Sequence, residues 1–204
     1  MDNSLQNHWN KIYETKQPNE VSWTQDIPIT SLNFINSFNL SKDAKIIDIG
    51  GGDSKLVDFL LEDGYENLTV LDISEKAIQR AKIRLGKKAD KIKWIISDIN
   101  DFEPQQNYTV WHDRAAFHFL TTPEQVTRYI STAKKAVTNF LTIGTFSDSG
   151  PKKCSGLDIK QYSEILLQAE LSSAFEKIKC ITEDHKTPFN TIQNFLFCSF
   201  KKQN

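Results

Sequence analysis

Ile46-Ile47-Asp48-Ile49-Gly50-Gly51-Gly52-Asp53-Ser54 is the stretch on which the fold turns. A β-rich apolar run over 44–49 enters three consecutive glycines, and 54–63 then sets Leu56, Phe59 and Leu60 at helical spacing. A strand that breaks on glycine and resumes as a helix is the opening unit of an α/β sheet. Glycine permits positive φ and lets a ligand approach the backbone closely. The Gly-x-Gly-x-x-Gly spacing of a dinucleotide site is not met, because Lys55 stands at the third glycine position. Asp53 sits at the helix entrance, where a carboxylate is expected to repel a pyrophosphate. The turn is therefore expected to favour a phosphate-free ligand carrying an ammonium and a sulfonium over a nicotinamide or flavin nucleotide.

The same alternation continues outward. Strands are predicted at 67–73, 92–99, 108–112 and 140–146. Helices are predicted over 74–86, capped by Ser74, and over 122–137, with Thr122 as cap and Pro123 in the first turn. A polar loop at 147–158, a helix at 162–171 and two strands at 175–181 and 192–200 close the chain. Two helices, 5–14 and 28–38, precede the first strand. The expected class is α/β, Rossmann-like: a seven-stranded, mostly parallel sheet with the last strand antiparallel and helices on both faces. One domain is expected over 1–204, divided into an N-terminal helical cap (1–40), a βα core (44–146), and a substrate-side loop, helix and β-β pair (147–204).

Composition narrows the function classes. The 204 residues are 39% hydrophobic and 25% charged, with a formal charge of -1 and no basic stripe, so nucleic acid is not an expected partner. No apolar run reaches the length of a membrane span. Met1 to Leu5 carry neither a basic leader nor an apolar core, so a secretory signal is not expected and a cytoplasmic location is. Cys154, Cys180 and Cys198 are odd in number and far apart, and are read as reduced thiols. His8, His112, His118 and His185 lack metal-ligand spacing, so no metal is expected.

Four successive strands end in or just before a carboxylate: Asp48, Asp72, Asp98 and Asp113. The first two intervals fit a strand–helix–strand crossover, and the third is too short for a full helix. In an open parallel sheet ligands bind outside the carboxyl ends of the strands, so all four acids are expected on one rim. Asp72 is placed to accept hydrogen bonds from two ribose hydroxyls, and Asp98 from an adenine amino group beside the Ile99 amide. Ile73 and Ile99 can sandwich the base.

With Asp48, Gly50, Gly51, Gly52, Asp72 and Asp98 in these places, 44–200 resembles a class I S-adenosylmethionine (SAM)-dependent methyltransferase, although Ser54 holds the last glycine position of the commoner Gly-x-Gly-x-Gly pattern. The resemblance implies SAM as cofactor and S-adenosylhomocysteine (SAH) as product. His8-Trp9-Asn10-Lys11-Ile12-Tyr13 and Val21-Ser22-Trp23 are similar to cofactor-covering segments of the elongation-factor lysine methyltransferase group. That resemblance implies that Trp9, Tyr13 and Trp23 lie against the cofactor. Trp111 to Phe119 resembles the group's Asp-Lys-Gly-Thr segment, with Asp113 kept, Arg114 in place of lysine, and Ala115-Ala116 in place of Gly-Thr. The His-Asp-Arg form is also similar to small-molecule methyltransferases such as those acting on aconitate.

The acceptor is thus a small molecule or a protein lysine, and oligomeric state is left open. His112 and Asp113 are the groups expected nearest the acceptor, with Arg114 able to hold a carboxylate by a two-pronged contact. His118 is read as core or pocket wall, and the 152–156 loop as a candidate cover over the substrate. Two alternatives stand beside the enzyme: a non-catalytic SAM-binding sensor or partner-supporting module, and a nucleotide-dependent oxidoreductase, which Asp53 and Lys55 disfavour.

Overall fold

A computed structural model describes residues 4–203; residues 1–3 and 204 of the expected domain lie outside the described residues. In chain order the helices and strands are α1 (Ser4–Thr15), α2 (Ile29–Ser37), β1 (Lys45–Ile49), α3 (Leu56–Glu62), β2 (Asn67–Asp72), α4 (Glu75–Leu85), β3 (Ile92–Ile96), β4 (Tyr108–Arg114), α5 (Pro123–Ala136), β5 (Val137–Phe146), β6 (Lys153–Cys154), β7 (Leu157–Asp158), α6 (Glu164–Leu171), β8 (Phe175–Lys186) and β9 (Ile192–Lys202).

Seven strands form one sheet in the order β3-β2-β1-β4-β5-β9-β8. β1 pairs in parallel with both β2 and β4, so the strand order reverses there, and β9 runs in the direction opposite to the other six strands of the sheet. The fold expected from the sequence is the fold observed. Strand ends and helix starts follow local chemistry. Ser74 Oγ accepts from the Ala77 amide at the start of α4. Thr122 and Gln125 form a reciprocal capping box with Pro123 in the first turn of α5.

Burial on both sheet faces explains why β1 is apolar at Ile46, Ile47 and Ile49, on both sides of the strand. Ile46, Leu68, Val70 and Val110 pack with Ile35, Leu56 and Leu60 of α2 and α3. Ile47, Ile49, Leu71 and Trp111 pack on the other face with Val126, Tyr129 and Ala133 of α5 and with Leu167 and Leu171 of α6. Adjacent residues of a strand thus serve opposite layers, which fixes where the functional side chains point.

Three expectations change. The 147–158 loop contains the small β6–β7 hairpin, whose Ser155 and Gly156 both take positive φ (51° and 81°), the backbone of a type I′ turn. β8 runs to Lys186 rather than 181, because a sheet-edge strand needs no continuous apolar face. Cys180 and Cys198 are not reduced thiols: they face each other across the β8–β9 ladder with Cα atoms 4.1 Å apart and form a disulfide. Cys154 alone is free and buried. Among the described residues no helix is long and apolar enough to cross a membrane.

Candidate functional site

The carboxyl ends of β1, β2, β3 and β4 converge at the point where the strand order reverses. Two cavities lie there and share Tyr13, Trp23, Gly50 and Arg114 as walls. The first is lined by Asp72, Ile73, Asp98, Ile99 and the roof residue Trp9. The second, of about 340 Å³, reaches under Gly51 to Asp48, Ser31 and His112.

The glycine turn is held by two carboxylates. Gly50 has φ +65°, a conformation that favours glycine, and a Cβ there would sit 2.7 Å from the Ala116 Cβ. A Cβ on Gly51 would meet Asp48 Oδ2 at 2.4 Å, and one on Gly52 would meet Asp72 Oδ2 at 2.5 Å. The glycines therefore leave the space that the Asp48 and Asp72 carboxylates occupy, and the sequence spacing that links them has a steric cause.

Asp72 is buried, and its Oδ1 accepts from the Ser74 amide at 2.7 Å. Burial pushes its carboxyl up to about 7, against hydrogen bonds from the Ser74 and Gly52 amides and with added repulsion from Asp48 and Asp53. Asp98 Oδ1 accepts from the Asn100 amide at 2.8 Å, which orients the carboxylate at the end of β3. Asp48 gives one oxygen to His112 Nδ1 at 2.7 Å, while its Oδ2 is buried with no hydrogen-bond partner. That free lone pair suits a cationic group of a ligand, because an unsatisfied buried carboxylate oxygen is costly.

The N-terminal segment closes the first cavity from above. Trp9 meets Trp23 edge to face at 5.7 Å and Phe119 at 5.2 Å, and Tyr13 meets Trp23 at 6.2 Å. Two polar contacts fix α1 over the β2–α4 junction. Gln6 Nε2 donates to the Ile73 carbonyl at 3.0 Å, and Asn10 Oδ1 accepts from Ser74 Oγ at 2.8 Å. Gln6 and Asn10 were not singled out from the sequence, where nothing distinguishes an amide that reaches a distant cap.

His112, Asp113 and Arg114 are consecutive on β4 and do not share a face. His112 points to α2, where its Nδ1 meets Asp48 and its Nε2 meets Ser31 Oγ at 2.9 Å. With Nδ1–H donating to the carboxylate, Nε2 accepts the serine hydroxyl. Asp113 points to the opposite layer: Oδ1 accepts from the Ala116 and Phe117 amides at 3.1 and 3.0 Å, and Oδ2 from Tyr129 Oη at 2.9 Å. It lines neither cavity, and burial raises its carboxyl to about 6. Arg114 returns to the cavity side and lines both. His118 is fully buried, its ring stacked on Phe146 at 4.5 Å, and burial followed by the Arg114 charge lowers it to about 3. Cys154 lines the first cavity, and burial pushes its thiol up to about 11. Ser31, missed in the sequence, completes the Asp48–His112–Ser31 chain.

Asp53 corrects part of the sequence argument. Its carboxylate is paired with Arg84 at 2.5 Å and Arg80 at 3.7 Å, so it presents no bare negative charge to a phosphate. The geometry still departs from a dinucleotide turn, since α3 begins only at Leu56 with Lys55 as its cap residue.

Comparison with known proteins agrees with this layout. The family described as "Methyltransferase domain" matches residues 46–139. Malonyl-[acyl-carrier protein] O-methyltransferase of Anoxybacillus flavithermus is 38% identical over 82 residues, 39% of this chain and 30% of that protein. The eEF1A lysine and N-terminal methyltransferase of Mus musculus is 25% identical over 119 residues, 58% of this chain and 17% of that protein. The matched segments thus span under a third of either relative. Among solved structures, the N-methyltransferase NodS of Bradyrhizobium japonicum in complex with SAH superposes with a TM-score of 0.72 at 18% identity, covering 96% of this chain and 98% of that one. The family match and the whole-chain topology agree: residues 46–139 are similar to a methyltransferase domain, and the chain has the fold of solved SAM-dependent methyltransferases.

Proposed function

We propose that the protein transfers a methyl group from SAM to a small-molecule acceptor. The observation that carries this reading is the joint cleft. Asp72, Ile73, Asp98 and Ile99 line a cavity that opens on the Gly50 turn, beneath a roof of Trp9, Tyr13 and Trp23. In this reading Asp72 accepts from the ribose hydroxyls, Asp98 from the adenine amino group, and Ile73 and Ile99 flank the base. The free Asp48 Oδ2 receives the ammonium, and His112, steadied by Ser31, holds the other Asp48 oxygen in place. The three aromatic rings exclude water from the cofactor.

When bound, SAM supplies an electrophilic methyl: the acceptor's lone pair bonds to that carbon as the carbon–sulfur bond breaks and its electron pair returns to sulfur, giving SAH. The contribution of the chain is alignment, worth up to about 7–11 kcal/mol when nucleophile and electrophile are held in line. Asp113 acts as a positioning residue, tying the β4–α5 turn beside Gly50 through three hydrogen bonds. Both His112 nitrogens are engaged, so an acceptor that arrives already ionised suits the site better than one needing a base.

The two curated relatives carry names that point in different directions, one to O-methylation of an acyl-carrier-bound malonyl group and one to lysine. The Arg114 guanidinium on the wall shared by both cavities favours the former class, since a lysine ammonium would be repelled there. The test is SAH formation from SAM with three acceptor sets: small carboxylates, thiols and lysine peptides. Turnover on a carboxylate or thiol is expected, and turnover on lysine peptides alone would overturn the choice of acceptor. A protein that binds SAM yet methylates none of them would fit the non-catalytic alternative, a SAM-binding sensor or partner-supporting module.

A further inference from the structure

Arg114 is half-buried, with one edge of its guanidinium enclosed. Its Nη1 donates to the Trp23 carbonyl at 2.9 Å, while Nε and Nη2 are shut off from solvent and have no hydrogen-bond partner. Among the described residues no carboxylate lies within ion-pair distance of the guanidinium. Glu183 and Asp48 act on it only through the field, and the Glu183 carboxylate accepts from Thr30 Oγ. An enclosed guanidinium edge with no hydrogen-bond partner is unfavourable, so its retention calls for a partner that is not part of the fold.

The geometry of the two orphan groups names that partner. Nε and Nη2 form one edge of the guanidinium, the edge that meets a carboxylate through two parallel N–H···O bonds. The remaining nitrogen is held by Trp23, and the Phe195 ring lies beneath the charge at 4.9 Å. The head group is therefore fixed on two sides with one two-pronged edge left over. The cavity that Arg114 lines is also walled by the apolar side chains of Trp23, Ala115 and Phe119. We infer that Arg114 is the anion anchor of the acceptor site, and that the acceptor carries a carboxylate on a flat apolar body. This rests on the methyltransferase reading above. A carboxylate reaching this edge has two sources, the acceptor or the methionine end of the cofactor, and we assign it to the acceptor.

The test uses benzoate as probe and benzamide as its neutral counterpart, titrated calorimetrically into the protein with and without saturating SAH. Arg114→Gln and Arg114→Lys are compared with the unaltered protein after circular dichroism shows that each is folded. Benzoate is expected to bind at least tenfold more tightly than benzamide, Arg114→Gln to abolish that preference, and Arg114→Lys to restore part of it. SAH affinity is expected to stay within threefold of the unaltered value in both variants. Equal binding of benzoate and benzamide, or no benzoate binding, overturns the inference. So does a tenfold loss of SAH affinity in Arg114→Gln with 5′-methylthioadenosine, which lacks the carboxylate, binding unchanged; the cofactor would then be the source. If SAH fails to bind the unaltered protein, the cofactor reading fails separately, while Arg114-dependent benzoate binding without SAH still upholds the anion site.

Discussion

Cofactor affinity is predicted to depend on the ionisation of Asp72. Its carboxyl, buried beneath the glycine turn and repelled by Asp48 and Asp53, is raised from an ordinary 3.8 to about 7. Only the ionised form accepts from both ribose hydroxyls, so binding draws the group into its charged state and releases a proton. From pH 8 to pH 6 the ionised share falls from about nine-tenths to about one-tenth, and the Kd for SAH is predicted to rise roughly tenfold. Asp72→Asn keeps the shape but removes the titration and one charge-assisted bond, so its Kd at pH 8 is predicted to rise by roughly tenfold or more, about 1.5–3 kcal/mol. Its profile between pH 6 and 8 is predicted to be flat. Calorimetry at four pH values in two buffers of different ionisation enthalpy reads both the Kd and the proton released. An unaltered protein whose SAH affinity is constant across this range, or an Asp72→Asn variant that keeps a tenfold slope, would refute the reasoning.

Further predictions concern the frame around the cleft. Asp72 and Asp113 are predicted to contribute stability that is lost as pH rises from about 4 to about 7, because the folded carboxyls hold protons to higher pH than their unfolded counterparts. The lowered His118 and His185 act in the opposite sense, so the carboxyl contribution is read from the difference between the unaltered protein and Asp72→Asn. Urea midpoints at pH 5 and pH 8 check the sign, and Asp72→Asn should gain at pH 8 relative to pH 5. Gly52→Ala places a Cβ 2.5 Å from Asp72 Oδ2 and 2.6 Å from the Ala77 Cβ, and is predicted to cost about 1–3 kcal/mol in urea unfolding and at least tenfold in SAH affinity. Asp113→Ala strands the Ala116 and Phe117 amides and the Tyr129 hydroxyl, and is predicted to cost about 2–4 kcal/mol by the same measurement. Thiol titration of denatured protein should find one free cysteine before reduction and three after it, and reduction of Cys180–Cys198 should lower stability by about 3 kcal/mol.

What the sequence made legible was what local rules control. Strand ends, the glycine turn and the capping residues Ser74 and Thr122 follow from nearest-neighbour chemistry, and the carboxylates at the ends of β1, β2 and β3 could be placed on one rim from their spacing. The candidates on β4 were less readable. His112, Asp113 and Arg114 are adjacent in sequence, but strand alternation turns Asp113 into the α5 layer and leaves its neighbours on the cavity side. Ser31 reaches His112 from a helix more than eighty residues earlier, and no local pattern marks it. The Cys180–Cys198 pairing depends on the β8–β9 register, which a bulge between Lys177 and Lys179 shifts by one residue, so cysteine spacing alone could not show it. Arg80 and Arg84 lie one helical turn apart on α4, a visible pattern, but their partner Asp53 stands across the fold.

Direct calorimetric titration of the purified protein with SAH, beside NADH as the competing nucleotide, tests the central claim. The account predicts low-micromolar or tighter binding of SAH, none of NADH, and a large loss of SAH affinity in Asp72→Ala. NADH binding without SAH binding, or SAH binding untouched by Asp72→Ala, would contradict it.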